Sequence, residues 1–301
     1  MESTRKFAEF LVNITSEEIP KDALLLAKKA FIDCLGVSVT GSCTESAVLM
    51  RQFVREIGSQ GQAGVISGSF RCHPSLAALA NGVSAHALDY DDVIRPVGHA
   101  SAVLVPVGLA LGEEMNLTGK DILEAYILGV EVGVKLASCM CPEHAEKGWH
   151  TTGTLGTVTA GAMAARLLRL DVDKTCSALS LAASQAAGIR LNFGSMAKPF
   201  HAGNAARSGI TAALLSQKGF SGRPETYAKP NYNQRYQGNT GRCIEQSYER
   251  VKQRVSKTIP TYHNSQRDTC KSGQPIPQQE LLSTNLHMVK DFTVLKHANS
   301  G

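Results

Sequence analysis

Gly153-Thr-Leu-Gly156-Thr-Val-Thr-Ala-Gly161-Ala-Met-Ala-Ala165 places Gly, Ala and Thr on every face of a 3.6-residue period. A helix of this kind has no polar side to turn toward water, and its small side chains let a neighbouring backbone approach closely. It therefore belongs in the centre of a bundle rather than in an amphipathic shell. Residues 74–88 and 178–188 share the composition, so three such helices are expected to form a buried centre.

Around them the apolar spacing is helical through most of the first 220 residues, with breaks at Gly, Pro or Asn. The spacing predicts helices over 2–14, 20–40, 45–57, 74–88, 101–115, 119–140, 153–169, 172–188 and 201–219. Pro20, Thr118 and Asp171 mark helix starts by capping logic. One short strand is expected around 63–67, and the fold class is mainly all-α.

The character changes at Gly222. Residues 223–242 are polar with almost no aliphatic side chains, too few to offset their ordering entropy. Weak helical spacing returns at 243–257, and mixed apolar spacing at 281–295. We read residues 1–222 as one all-α domain and 223–301 as a divergent, largely disordered or weakly structured, protease-sensitive tail. Charge divides at the same place: residues 1–222 carry nineteen Lys/Arg against twenty Asp/Glu, and residues 223–301 carry twelve against six. The net +5 of the 301-residue chain is thus a property of the tail. Five tyrosines lie there, among them Tyr227, Tyr232, Tyr236 and Tyr248, without a recognisable nucleic-acid module around them, so nucleic acid is not the expected partner.

Eight cysteines are scattered without a CxxC pair, which favours a reducing compartment. The N-terminus moves straight into an amphipathic pattern, without the apolar region of a secretory signal. The longest uncharged run, residues 148–165, carries His150 and five threonines, and no membrane span is expected. These features point to the cytoplasm; Glu2 and Glu9 argue against a transit peptide, with mitochondrial residence left open.

Three segments set a histidine or lysine before a small-residue helix: His99-Ala-Ser101, Trp149-His150-Thr151-Thr152-Gly153 and Lys198-Pro-Phe-His201-Ala-Gly-Asn204. A helix N-terminus offers unpaired N–H groups and partial positive charge, so such ends make an anion site with proton chemistry built in. If the three ends converge, the client is a small polyanion. A fourth segment, His86-Ala-Leu-Asp89-Tyr-Asp91-Asp92-Val93, adds carboxylates and hence a base. Pro199 is expected to hold Lys198 outside the following helix and aim its ammonium over the helix end. His86 with Asp89 has the look of a metal pair, but no second histidine stands at helical spacing and the cysteines are not spaced as ligands, so no metal is expected. The Trp149–Gly156 run lacks the GxxxxGK[ST] spacing of a phosphate loop, so nucleotide binding is rejected.

With NGVSAHALDYDDV, GHAS, GWHTTGTLGT and KPFHAGNAARSG together, residues 5–222 resemble the MmgE/PrpD family, which includes 2-methylcitrate dehydratases, cis-aconitate decarboxylases and an iminodisuccinate epimerase. The resemblance implies a large all-α domain followed by an α+β lid, a homodimer, and no metal or organic cofactor. It also implies catalytic roles for Asp89, His99, His150 and Lys198, and substrate contacts from Lys198, His201, Ser101 and Thr151. Two departures stand out. Val93 replaces the threonine of decarboxylase-type members, which points away from cis-aconitate decarboxylation. The sequence after 222 does not resemble the lid, which brings a further histidine, and His263 lies in no matching context. A truncated or alternatively spliced product is one reading of that tail.

The expected function is a lyase, a dehydratase or decarboxylase of a small di- or tricarboxylate such as 2-methylcitrate or cis-aconitate. The alternatives are an epimerase or isomerase of a related dicarboxylate, since the same proton abstraction can end in reprotonation, and an inactive binding or regulatory form without a functional lid.

Overall fold

The computed structural model describes residues 3–223 and Thr226. The polar tail expected after Gly222 and its helix candidates fall, but for Arg223 and Thr226, outside the described residues. Ten α-helices carry the described chain: α1 Ser3–Asn13, α2 Lys21–Gly41, α3 Glu45–Ile57, α4 Pro74–His86, α5 Ala100–Met115, α6 Gly119–Met140, α7 Glu143–Glu146, α8 Thr151–Leu167, α9 Val172–Ser184 and α10 Ala197–Gln217. The all-α class holds. Capping sets several boundaries: Thr118 accepts from the Asp121 N–H and heads a capping box, and the Asp171 carboxylate accepts from the Lys174 N–H at 2.8 Å. The expected strand is a two-residue β1, Ala63–Gly64, paired antiparallel with β2, Arg71–Cys72, which periodicity over two residues could not show.

The small-residue helices α4 and α8 lie at the centre, as does α10. Nearly all of α4 and α8 is buried, because a helix without large side chains gains burial only where others enclose it. The α4–α10 crossing shows what glycine supplies: a Cβ on Gly82 would stand 2.6 Å from the Gly203 Cα, so the two backbones touch where neither residue has a side chain. This crossing brings the C-terminal end of α4, at His86, near the N-terminal turn of α10, at Lys198. Among the described residues, no helix is long and apolar enough to cross a membrane.

Most boundaries fall within two residues of expectation, and two differ by four. Helix α10 begins at Ala197, so Lys198 and Pro199 lie inside its first turn rather than ahead of it. First-turn N–H groups have no intrahelical acceptor, so proline there costs no hydrogen bond. Helix α9 ends at Ser184, short of the expected 188, and Gly188 continues at a φ of +130° as the chain turns toward the head of α8.

Candidate active site

The heads of α5, α8 and α10 and the tail of α4 meet around the loop 87–99. That loop is drawn in by Gly98, whose φ is +101°; a Cβ there would lie 2.7 Å from Thr152 Oγ1 and 2.8 Å from Thr151 Oγ1. Thr152 Oγ1 accepts the His99 N–H at 3.1 Å, tying the loop to the head of α8. On the other side Trp149 and Ile189 form a β-bridge, and the His150 N–H donates to the Gly188 carbonyl at 3.0 Å. The segment after α9 thereby folds over the α8 head and sets Phe193 edge-on to His150, with ring centroids 4.8 Å apart.

Asp89, His99 and Lys198 are in direct contact although 109 positions separate the first from the last. Lys198 Nζ stands 2.5 Å from Asp89 Oδ1, and His99 Nε2 stands 3.4 Å from the same oxygen. Asp89 has a left-handed φ of +53°, tolerated by aspartate, and its side chain is 54% exposed while Lys198 and His99 are mostly covered. Burial works against its charge, but the Lys198 hydrogen bond and charge, with His99 and His86, hold the Asp89 carboxyl below its ordinary range.

Beneath lies Asp91, 5% exposed, which the sequence reading counted only as part of an acidic cluster. Its Oδ1 is 3.0 Å from His86 Nδ1 and its Oδ2 is 2.9 Å from His99 Nδ1. Burial opposes the Asp91 charge, yet hydrogen bonds from the two imidazoles and their charge outweigh it and hold the carboxyl well below the usual range. Burial likewise disfavours charge on His99, but Asp91 on one nitrogen and Asp89 on the other raise it above the ordinary histidine value. The two rings lie 4.4 Å apart, so the second histidine missing from the helical spacing of α4 is supplied through space.

Farther in, His150 Nδ1 meets His201 Nδ1 at 3.0 Å, so one ring donates and the other accepts. Burial, with charge on His86, His201, His99 and Lys198, pulls His150 down to about 3, and the ring is neutral at physiological pH. His201 is lowered too, by burial and His86. His150 stacks near His86 at 5.9 Å, and Phe193, against His150, also carries Lys198 Nζ 5.2 Å over its face.

Ser101 is placed differently. Its Oγ bonds Asp92 at 2.8 Å and Tyr126 OH at 2.6 Å, and Asp92 also accepts the Ser101 N–H. The head of α5 is thus capped by the chain's own carboxylate instead of standing open to an external anion. Burial and the neighbouring Asp91 charge push Asp92 up to about 6 against its Ser101 hydrogen bonds. Thr151 sits half-buried at the head of α8 beside Gly98.

His86, Asp89, Asp91 and His99 offer one donor atom each within 4.8 Å of one another, close enough to surround a cation. Those donors are engaged with each other, and the positive charge among them is the Lys198 ammonium. The arrangement is a proton-bearing network with a built-in cation. Sequence reasoning missed Asp91, His86 and Phe193 as members of it. The available signal was the spacing His86-x4-Asp91 across a helix end, which lets a carboxylate fold back on the last helical side chain.

A sequence profile of the MmgE/PrpD N-terminal domain matches residues 5–235. Cis-aconitate decarboxylases of Mus musculus and of Homo sapiens are each 31% identical over 229 residues, 74% of this chain and 47% of the relative. The cis-aconitate decarboxylase-like protein oryM of Aspergillus oryzae is 29% identical over 230 residues, 73% of this chain and 48% of its own. The chain spans about half the length of the curated relatives it matches.

Proposed function

The chain belongs to the MmgE/PrpD family, and on that premise we propose that it carries the helical part of a lyase site for a small di- or tricarboxylate, with cis-aconitate as the first substrate to test. The observation that carries the reading is the convergence of Lys198 and His99 on the exposed Asp89. Loss of carbon dioxide leaves the C–C electron pair in an enediolate-like species that a proton from an acid quenches. In dehydration a base, here the neutral His150 imidazole, first takes the α-proton to form the same kind of species, and the acid then protonates the departing hydroxide. Such a species needs a cation at the carboxylate and a positioned acid.

In this reading Lys198 meets a substrate carboxylate, joined by Thr151 at the head of α8 and by His201. His99 is the proton donor, its charge supported by the two aspartates. Asp89 orients Lys198 and His99 and yields to the substrate carboxylate. His150 contacts substrate as a neutral imidazole fixed by His201. Ser101 contributes from below, by holding Asp92. Exposed Val93 presents no hydroxyl to the site, which favours testing 2-methylcitrate beside cis-aconitate. Homodimerisation and a cytoplasmic location are part of the same proposal.

The test is calorimetric titration of the full chain and of Lys198→Met with both compounds, together with assays for carbon dioxide release and for dehydration. A charged hydrogen bond of about 1.5–3 kcal/mol corresponds to binding weakened roughly 10- to 100-fold in the variant. Thermal stability should be nearly unchanged, since Lys198 is proposed as a ligand contact. An affinity equal to that of the parent would overturn the reading.

A further inference from the structure

We propose that Asp91, buried behind the site, is its positioning residue: one carboxylate clamps two imidazoles by their Nδ1 atoms and so presents His99 Nε2–H as the proton donor beside Asp89. The inference rests on the lyase reading for what the donated proton does, but the clamp itself stands on geometry. An ionised carboxylate only accepts, so each Nδ1 facing Asp91 at 3.0 and 2.9 Å must carry a hydrogen. That assignment leaves Nε2 as the only nitrogen of His99 able to exchange a proton with anything outside the network. It lies 3.4 Å from Asp89, on the side where Lys198 and the solvent-exposed carboxylate stand.

The same clamp explains His86. Among the described residues its buried Nε2 has no hydrogen-bond partner. The Nδ1 hydrogen given to Asp91 holds the ring without a second partner on Nε2. His86 thus packs its ring 4.4 Å from His99 while drawing on the other Asp91 oxygen, and the two rings brace each other. The titratable and charged groups around the clamp are Asp89 and Asp92 on the same loop, Lys198 and His201 on α10, His150 at the head of α8 and Cys34 on α2. Of these, Asp89 raises and Lys198 lowers the proton affinity of His99, and Asp91 is the largest favourable contributor. Asp91 has no route to substrate of its own, because both oxygens are taken and its side chain is fully covered.

Two measurements test the clamp. In the unmodified full chain, nitrogen-15 histidine spectra at neutral pH should show hydrogen on Nδ1 of both His86 and His99; an Nε2–H only tautomer at either ring overturns the proposal without any variant. In Asp91→Asn, the His99 titration should move to lower pH, and turnover of the polycarboxylate should fall about 100-fold or more in kcat with KM changed far less. A folded Asp91→Asn protein with an unmoved His99 titration overturns the proposal, even if kcat falls, since a merely structural role would lower kcat alone. Should the tautomers and the titration shift appear while no polycarboxylate is bound or turned over, the clamp stands and the lyase reading fails.

Discussion

Replacing Gly82 by alanine puts a methyl group into the α4–α10 crossing that brings His86 near Lys198. The added Cβ would lie 2.6 Å from the Gly203 Cα and 2.9 Å from the Gly203 nitrogen, all backbone that cannot swing aside. Carbon atoms pack at about 3.5–4.0 Å, so the α4 and α10 axes must part by roughly 1 Å. Overpacking of this kind costs about 1–3 kcal/mol, and a backbone-to-backbone clash belongs at the upper end. Alanine returns about 1 kcal/mol of helix propensity. The net expectation is a loss of about 2 kcal/mol, or an unfolding temperature lower by roughly 4–8 °C for a domain of this size. Thermal unfolding followed by far-ultraviolet circular dichroism, with urea midpoints as a second measure, reads the effect. Because α4 ends in His86 and α10 begins around Lys198, ligand affinity should fall as well. Gly203→Ala strains the same crossing from the other side, where its Cβ would meet the Leu79 carbonyl and Val83, so the double variant should cost less than the two single ones together. An unfolding temperature equal to or above that of the parent would refute the close crossing as the origin of the site geometry.

Folding stability should depend on pH through His150. Its ordinary value of 6.5 falls to about 3 in the folded chain, so between those values the unfolded chain binds a proton that the folded one refuses, and stability drops as pH falls through that window. Asp92, raised from 3.8 to about 6, acts oppositely because its folded form holds the extra proton. The contribution of His150 is therefore read as the difference between the parent and His150→Gln: the variant should lose less stability from pH 6.5 down to 4, and parallel curves would contradict the assignment. Arg166 donates to the carbonyls of Leu11, Val12 and Ile14 at 2.9, 3.1 and 3.0 Å, closing the C-terminal end of α1. Arg166→Met should cost about 2 kcal/mol and speed hydrogen exchange at Phe7–Leu11, whereas unchanged exchange there would show α1 to be held by its apolar face alone.

The long helices, their order and the class of the fold follow from the sequence because they rest on local physics, while the four-residue α7 was not foreseen. Periodicity sets the helices, Thr118 and Asp171 cap two of them, and the Gly and Ala of α4 and α8 admit no position but the interior. The segments that meet at the site were equally legible as segments, since a titratable side chain before a small-residue helix is a local pattern. Which atom of each residue faces which partner was not. That Asp91 turns inward to two imidazoles while Asp89, two positions earlier, turns outward to Lys198 depends on one left-handed residue in a loop. That Ser101 serves Asp92 rather than an outside anion depends on how that loop folds back over α5. Lys198 and Pro199 could join α10 because a first-turn proline costs no hydrogen bond, so its presence there did not mark a boundary. Sequence spacing reports distances along the chain. Proton positions in this site are set by contacts between residues as far apart as 109 positions, and those exist only once the helices have packed.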